Sequence, residues 1–296
     1  MEACAIQHPL NNLVLQVTQE ALGKLGWSIY SEKTGEGLVR YIISRISTVR
    51  NEAVVVFVVT EKEIPRAKDL INIFKKKAPQ VKGILQNINP DKTNVIFGKQ
   101  TKLLWGQDYI IEVMNGIQYK ISADSFFQVN PEQLLKMFKI VEKYSSVRST
   151  DTIIDAYSGV GTLAIWLAQK AKKVIGIEEV PSAVKDAQEN VNLNKIKNVE
   201  FYKGKTEKVL PRLLNEEVRA DVVILDPPRK GCEPEVLETL ANMRAKKIIY
   251  VSCNPSTLAR DIAILSELGY KTREIQPVDM FPQTAHIECV AKIERA

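Results

Sequence analysis

The sequence predicts an α/β protein in which a doubly wound, mostly parallel seven-stranded sheet follows a smaller N-terminal α+β domain. From residue 151 onward, short apolar runs alternate with helical segments, which is typical of parallel strands joined by helical crossovers. The predicted strands are 152–155, 173–178, 199–203, 221–226 and 247–251, with two later ones near 271–276 and 286–293. The predicted helices are 162–170, 181–194, 207–214, 234–243 and 258–268, the last with Ser256 or Thr257 as its N-cap.

The first part of the chain has mixed character. Helices are predicted at 10–25 and 65–77, and strands at 37–46, 53–60, 83–89, 93–97 and 109–114. Asn115-Gly116 then predicts a tight hairpin leading to a strand at 117–121. We therefore predict a central α+β domain over 1–120 and a second domain over 121–296, which opens with a helix at 131–144.

Composition excludes several classes of protein. The 296 residues are 45% hydrophobic and 26% charged, the balance of an ordinary globular chain. No apolar run approaches the roughly 18 residues of a membrane span, and we expect no secretory signal. The four cysteines (Cys4, Cys232, Cys253, Cys289) lack the spacing of a zinc site or disulfide framework, so we expect reduced thiols in the cytoplasm. A net charge of +6 weakly favours a polyanionic partner.

Cys253 is the first candidate site residue. It follows the apolar run 247–251 and precedes a predicted helix, at the edge of the sheet where open α/β folds bind ligands. Helix N-terminal dipoles at such a position can stabilise a thiolate, which predicts a reactive cysteine. A small packing residue in the core is the alternative, and this segment alone leaves both open.

A glycine turn follows the first strand of the sheet, in the segment DAYSGVGTLA. Asp155 ends the strand, and Gly159 and Gly161 allow a ligand to approach the backbone beside a helix N-terminus. Glu178 ends the second strand, where an acid can bind ribose hydroxyls. The glycines also fit the dinucleotide fingerprint of nicotinamide enzymes, but a carboxylate ahead of the turn would repel a pyrophosphate. Asp155 instead favours the cationic S-adenosylmethionine, although it can also brace the turn through backbone N–H groups.

The fourth strand ends in the segment DPPRKGC, residues 226–232. Two prolines after an acid make a stiff loop at the same edge of the sheet. Asp226 can accept a hydrogen bond from a cofactor or a target base, while Arg229 and Lys230 offer positive charge. Because this loop lies one strand before Cys253, we interpret it as a wall of the candidate site.

Glu288 is a candidate general base because the segment TAHIECV around it is largely apolar. Desolvation would raise the pKa of its carboxyl group toward the range that a general base needs, while an exposed strand glutamate is the alternative. His286 is predicted on the same strand face, but His8 is the only other histidine, so no histidine metal site is predicted. We expect Cys232 and Cys289 to be packing residues.

Five segments resemble the bacterial RNA 5-methyluridine methyltransferases, which use S-adenosylmethionine to methylate uracil carbon 5 in tRNA and 23S rRNA. They are SFFQVN at 125–130 and, further along the chain, DAYSGVGTLA, DPPRKGC, YVSCNPSTLARD and TAHIECV. The resemblance covers the second domain end to end and the preceding segment more loosely. It implies a Rossmann-like class I methyltransferase domain and an RNA uracil-5-methyltransferase, with a uridine in 23S rRNA as the expected substrate.

The resemblance also implies roles for single residues. Cys253 would be the nucleophile and Glu288 the base that abstracts a proton. The expected cofactor-binding residues, including two from the glycine turn, are Gln128, Asp155, Tyr157, Gly159, Glu178 and Asp226. Phe126 and Gln128 would lie close to the target uracil, and an aromatic ring can stack on a base splayed out of an RNA. We expect RNA as the partner, contacted in part by domain 1–120, S-adenosylhomocysteine as a product, and a monomer.

The sequence departs from the family in three respects. Fuller members begin with a small OB-like RNA-binding barrel, which we do not expect here. Many hold an iron–sulfur cluster on four cysteines, of which Cys4 resembles the last, while the other three would precede residue 1. We therefore expect no cluster and no metal. Lys205 and Thr206 are also less acidic or amide-like than a cofactor contact after the third strand would be.

Three alternatives stay open. A tRNA uridine is the alternative substrate. An amino-group nucleic-acid methyltransferase is the alternative enzyme, because acid-Pro-Pro loops can hold an exocyclic amine and such enzymes need no nucleophilic cysteine. The third alternative is an RNA-binding module without catalysis, which the joint presence of Cys253, Glu288 and the glycine turn disfavours.

Overall fold

The computed structural model describes residues 7–123 and 125–296, so Cys4 lies outside the described residues. Internal contacts divide the chain into two compact units. Unit 1 runs through Val113 and includes Lys120–Ser125, and unit 2 comprises Met114–Tyr119 together with Phe126–Ala296.

Unit 1 is built on a four-stranded sheet packed against two helices. Its elements are α1 (Pro9–Leu25), β1 (Val39–Ser47), β2 (Glu52–Val59), α2 (Ala67–Lys77), β3 (Val81–Ile88) and β4 (Gln100–Gly106). The strands lie in the order β1-β2-β3-β4, and only the central pair is parallel. Alternate β2 residues, among them Val55 and Phe57, pack with apolar residues of both helices to form one core.

The strand predicted at 93–97 is wrong. Val95 and Ile96 are exposed, and their carbonyls accept hydrogen bonds from Asn89 Nδ2 at 2.8 and 2.9 Å. These bonds hold the segment as a loop. The fourth strand of this sheet is β4, whose polar first half conceals the alternation that marks a strand.

A two-stranded hairpin, β5 (Tyr109–Met114) and β6 (Ile117–Ser122), is divided between the two units. Its turn residues Asn115 and Gly116 have φ angles of 48° and 82°. Positive φ at both central positions is what the two-residue turn requires, and it explains why Asn-Gly predicted this hairpin correctly.

Unit 2 is a seven-stranded sheet with helical crossovers, and the predicted fold class is confirmed. Its elements are α3 (Pro131–Ser145), β7 (Thr152–Asp155), α4 (Thr162–Ala168), β8 (Lys173–Glu178), α5 (Pro181–Leu193), β9 (Val199–Lys203), α6 (Thr206–Asn215), β10 (Val222–Leu225), α7 (Pro234–Asn242), β11 (Lys247–Ser252), α8 (Pro255–Glu267), β12 (Tyr270–Val278) and β13 (Glu288–Arg295). The strand order is β12-β13-β11-β10-β7-β8-β9.

The order of the strands positions the candidate site. The five strands from β11 to β9 are parallel, and β13 runs antiparallel between β11 and β12. The chain moves outward from β7 through β8 to β9 and then returns to the other side of β7 as β10. Open α/β sheets bind ligands at the carboxyl edge of such a switch point, where Asp155 and Asp226 lie.

The N-cap of α8 differs from the prediction. The helix is capped by Asn254, whose side chain accepts the Ser256 N–H at 3.1 Å, and Pro255 is its first residue. Proline favours the first helical position because its φ is preset and its missing N–H is not needed there. Among the helices that the structure describes, none has the length and apolar character needed to cross a bilayer.

Candidate active site

Five candidate residues meet at the carboxyl edge of the sheet in unit 2. Asp155 and Glu178 end β7 and β8, while Asp226 and Cys253 directly follow β10 and β11. Glu288 begins β13, and because β13 runs antiparallel beside β11, its first residue falls at this same edge. The sheet thus brings together residues that are more than 130 positions apart in the chain.

Asp155 is a buried acid without a well-formed hydrogen bond. It is 1% exposed, and neither of its carboxylate oxygens has a hydrogen-bond partner in the structure. Burial raises its pKa to about 7, and Glu178 adds to the rise, while the nearby N–H groups of Tyr157 and Ala164 oppose it. A buried carboxylate in this state is costly unless a cation or donor neutralises it.

Asp226 and Glu288 extend this acidic cluster. Burial, followed by the charges of Glu288 and Asp155, raises the pKa of Asp226 to about 8. Glu288 is 3% exposed, and burial raises the pKa of its carboxyl group while Arg229 opposes the rise. The predicted desolvation of Glu288 is confirmed, and the three acids form a site suited to a cationic ligand.

The strand that carries Glu288 is shorter at its start than predicted. His286 is exposed and precedes the strand, and its N–H donates to Thr284 Oγ1 at 3.2 Å. Its ring Nε2 lies 3.5 Å from Arg229 Nη2. His286 therefore contacts the loop after β10 rather than sharing a strand face with Glu288. Within the described residues, no group of three or more His, Cys, Asp and Glu side chains is arranged to hold a metal ion.

Cys253 is half-buried in the turn between β11 and α8, and its thiol is not activated as the sequence predicted. Burial raises its pKa, and the charges of Glu288 and Asp226 raise it further, while its own backbone N–H and Arg229 oppose the rise. The helix that follows contributes little, because Pro255 has no N–H and Asn254 accepts the Ser256 N–H. The prediction that helix dipoles stabilise the Cys253 thiolate is therefore wrong, because burial and the charges of Glu288 and Asp226 raise the pKa of the thiol.

The glycine turn is held by Glu178. One carboxylate oxygen of Glu178 accepts the Gly159 N–H at 3.0 Å, and the other accepts the Val180 N–H at 2.7 Å. Each oxygen keeps a second lone pair with which to bind a further donor. Gly161 has a φ of 82°, and a Cβ there would lie 2.8 Å from the Phe201 ring, so glycine is required on both counts.

The segment SFFQVN presents one ring outward and one amide inward. Phe126 is 76% exposed, which is unusual for an aromatic side chain, and Val129 is 74% exposed. Gln128 instead buries its Oε1, which has no hydrogen-bond partner in the structure. Asn130 ends the segment: its side chain accepts the Gln133 N–H at 3.2 Å as the N-cap of α3, and its Nδ2 donates to the Met280 carbonyl at 3.3 Å.

Four further residues lie in or against the core beneath this edge. Cys232 and Cys289 are buried members of the main apolar cluster of unit 2, as predicted. Tyr157 packs against that cluster, and burial raises its pKa, with Cys232 as the next contributor. Thr206, which sequence reasoning had discounted, is buried, and its hydroxyl donates to the Ala156 carbonyl next to Asp155.

Sequence reasoning missed Arg260 and Asp261, although both lie in the quoted segment YVSCNPSTLARD. Asp261 is fully buried and accepts the Cys232 N–H at 2.8 Å. Arg260 donates to Asp261 and to two carbonyls of the loop after β10. The sequence signal was the adjacent pair Arg260-Asp261 between apolar residues of a predicted helix. A buried aspartate needs a positively charged or hydrogen-bonding partner, and the adjacent arginine is one.

A family model described as tRNA (Uracil-5-)-methyltransferase matches residues 36–296. The chain belongs to this family. An uncharacterized RNA methyltransferase of Bacillus cereus is 45% identical over 295 residues, covering 100% of this chain and 64% of the relative. Another from Halalkalibacterium halodurans is 46% identical over 294 residues, covering 99% and 64%. The chain thus spans about 64% of the length of these relatives.

This chain also shares its fold with solved structures. The Pyrococcus abyssi tRNA (uracil-54, C5)-methyltransferase, in complex with S-adenosyl-L-homocysteine, is 32% identical with a TM-score of 0.85. The match covers 99% of this chain and 68% of that one. A tRNA m1G37 methyltransferase of M. jannaschii is 17% identical with a TM-score of 0.56, covers 90% of this chain and 78% of that one, and shares the fold alone.

Proposed function

We propose that this chain is an RNA uracil-5-methyltransferase that takes its methyl group from S-adenosylmethionine. The observation that carries the proposal is the meeting of Cys253, Glu288 and Asp226 at one edge of the sheet, where each carboxylate influences the thiol. A nucleophile beside a desolvated carboxyl base is the pair that methylation at uracil carbon 5 requires. Family membership supports the same reaction.

The residues at the switch point fit S-adenosylmethionine. Asp155 offers two buried oxygens without hydrogen bonds. Gln128, in the segment before α3, also has a buried Oε1 without a hydrogen-bond partner. A ligand bearing an ammonium and a sulfonium would neutralise such acids. Glu178 and Gly159 of the glycine turn would bind the ribose of the cofactor. Asp226 and Tyr157 would make further contacts with it. When bound, S-adenosylmethionine supplies an electrophilic methyl group.

Uracil carbon 5 is too weak a nucleophile to accept a methyl group unaided. In our proposal the Cys253 thiol loses its proton to solvent and adds to carbon 6 as the thiolate, and the electron pair of the 5,6 double bond moves to form an enolate. Carbon 5 of the enolate would then accept the methyl group that a bound S-adenosylmethionine would supply, with S-adenosylhomocysteine as the second product. Glu288 removes the remaining proton from carbon 5, the double bond re-forms, and the Cys253 thiolate departs.

The exposed Phe126 supports an RNA substrate. A uridine inside a folded RNA must leave its stack to reach Cys253, and an exposed ring beside Gln128 can receive the splayed base. We propose a uridine in 23S rRNA as the first substrate to test. A tRNA uridine is the second, because the P. abyssi neighbour is named for uracil 54 of tRNA. Three free cysteines among the described residues are consistent with a reducing cytoplasm, and we propose a monomer.

The test uses 5-fluorouridine-substituted 23S rRNA and tRNA with S-adenosylmethionine. Fluorine cannot be removed as a proton, so methyl transfer should leave the RNA covalently attached through denaturation. We expect an adduct with the parent and with the control Cys232→Ala, and none with Cys253→Ala. The RNA that is trapped, mapped to a nucleotide, decides between 23S rRNA and tRNA.

Two results would contradict the proposal. Methylation of unsubstituted RNA without any adduct would remove Cys253 as the nucleophile and favour an amino-group methyltransferase. Binding of RNA and S-adenosylmethionine without turnover, when the test is repeated with a chain extended to the length of its relatives, would favour an RNA-binding module.

A further inference from the structure

The loop after β10, residues 227–232, is bound along its backbone by the first turns of α8. The Arg229 carbonyl accepts hydrogen bonds from Asn254 Nδ2 at 3.1 Å and from Thr257 Oγ1 at 3.2 Å. Arg260 Nη2 donates to the Lys230 carbonyl at 2.9 Å and to the Cys232 carbonyl at 3.3 Å. Side chains of α8 and of its N-cap residue therefore bind three carbonyls of this loop.

Asp261 completes the connection from inside the protein. Its Oδ2 accepts the Cys232 N–H at 2.8 Å and the Tyr250 hydroxyl at 2.5 Å, while its Oδ1 accepts Arg260 Nε at 2.8 Å and lies 2.7 Å from Arg260 Nη2. The carboxylate is fully buried yet satisfied by several donors. Gly231 fits closely against this pair, because a Cβ there would lie 2.5 Å from Arg260 Nη2 and 2.6 Å from Asp261 Oδ2.

We propose that Arg260 and Asp261 are positioning residues that keep Arg229 in register with Cys253. The proposal rests on the function proposed above. The loop begins next to Asp226 and carries Arg229, whose charge opposes the rise in pKa at both Cys253 and Glu288. Cys253 itself lies two residues before Pro255, the first residue of α8. Because α8 binds the loop, one helix sets the distance between the thiol and the charges that act on it.

A merely structural role makes a different prediction from a positioning role. Loss of a structural contact lowers the free energy of unfolding and leaves the turnover of the folded fraction unchanged. A displaced Arg229 or Cys253 instead lowers kcat in protein that remains folded, since a misplacement of about 1 Å can reduce a rate about 100-fold. Asp155 and Glu178 end other strands and Gly159 lies in the turn after β7, so cofactor binding should largely persist.

The test compares Arg260→Gln, Arg260→Lys and Asp261→Asn with the control Asp221→Asn. Asp221 also accepts a backbone N–H, from Thr152 at 3.0 Å, and a lysine, Lys246 at 2.7 Å, but at the opposite edge of the sheet. Melting temperature, the Kd of S-adenosylmethionine and the kcat of RNA methylation are measured for each. We expect kcat to fall about 10- to 100-fold in the three variants while that Kd changes less than about threefold. Asp221→Asn should keep the parent's kcat.

Two further features allow the test to separate a positioning role from a loss of folding or of charge. Arg260 is half-exposed, so its variants should fold even if Asp261→Asn does not. Lysine retains the charge of Arg260 but cannot bridge Asp261 and two carbonyls at once, so Arg260→Lys should not restore activity. Parent-like kcat in both Arg260 variants, or the same loss of kcat in Asp221→Asn, would overturn the proposal.

Failure of the proposed function would look different. The parent would then neither methylate RNA nor form the fluorouridine adduct. The positioning proposal is still tested in that case by alkylation of Cys253 with iodoacetamide, which needs no RNA. Displacement of Arg229 in Arg260→Gln should slow alkylation relative to the parent, whereas an unchanged rate would contradict the positioning role.

Discussion

Glu178 accepts the backbone N–H of Gly159 at 3.0 Å, which ties the end of β8 to the glycine turn that follows β7. Its second oxygen accepts the Val180 N–H, so the turn is braced without any ligand. Asp155, at the end of β7, keeps both of its oxygens without hydrogen bonds. The acid that supports the turn and the acid left open to a ligand are therefore different residues.

Asp155 should make the ligand-free protein less stable as pH rises. Its pKa in the folded state, about 7, lies above the ordinary value of 3.8. An acid of this kind stabilises the fold below its unfolded pKa, and that contribution is lost as pH rises through the folded pKa. We expect urea unfolding to show a loss of a few kcal/mol between pH 4 and 8 in the parent, and a smaller loss in Asp155→Asn.

Asp221→Asn is the control for this pH dependence, because its sign is opposite. Burial alone would raise the pKa of Asp221, but Lys246 and the Thr152 N–H lower it below its ordinary value. Its stabilisation is present above the unfolded pKa and is lost as pH falls through the folded one. If Asp155→Asn kept the parent's pH slope, burial of an ionised Asp155 would not be the cause.

Removal of the Glu178 carboxylate should loosen the glycine turn. In Glu178→Ala the N–H groups of Gly159 and Val180 lose their partner, and we expect a loss of about 1–3 kcal/mol in the free energy of unfolding. Glu178→Gln keeps one acceptor oxygen and should lose less. Chemical denaturation measures both, with the exposed neighbour in Glu179→Ala as a control that should match the parent.

The reactivity of Cys253 should respond in opposite directions to its two charged neighbours. Glu288 raises the pKa of the thiol, and Arg229 lowers it. Glu288→Gln should therefore increase the rate of iodoacetamide alkylation at pH 7.5, and Arg229→Gln should decrease it, each severalfold. Peptide mass spectrometry separates Cys253 from the other cysteines. A shift in the same direction for both variants would show that packing, not charge, controls the thiol.

Two glycines of one turn should differ in their tolerance of alanine. Gly159 and Gly161 have φ angles of 53° and 82°, so alanine is strained at either position, by about 1–2 kcal/mol. A Cβ at Gly159 meets nothing within 4 Å, whereas at Gly161 it would lie 2.8 Å from the Phe201 ring and 3.2 Å from Ala187 Cβ. Gly161→Ala should therefore lose about 1–3 kcal/mol more than Gly159→Ala in thermal unfolding. Equal losses would mean that Phe201 moves aside freely.

Much of unit 2 could be predicted from sequence because its signals are local. The strands 152–155, 173–178 and 199–203 begin and end where predicted, since each is a short apolar or β-branched run between turn residues. The wrong predictions occur where a nearby side chain or a proline overrides the local pattern of apolar residues. Loop residues 93–97 contain three consecutive apolar residues, as a strand would, but Asn89 binds the carbonyls that a strand partner would need. The helix α8 begins at Pro255, before the predicted caps Ser256 and Thr257, because proline favours the first helical position.

The sequence by itself determined the fold class, the family and the segments that form the candidate site, because periodicity, glycine turns and motif order are properties of the chain. Tertiary structure decided which charges meet. Burial raises the pKa of Cys253, and the charges of Glu288 and Asp226, which β13 and β10 bring to its side, raise it further. Only the order of the strands in the sheet brings these two acids to the thiol. The contacts of Arg260 and Asp261 with the loop after β10 depend on the packing of α8 against that loop, which the sequence does not show. Burial and charge depend on neighbours that are distant in sequence, and the sequence alone does not show which residues become neighbours.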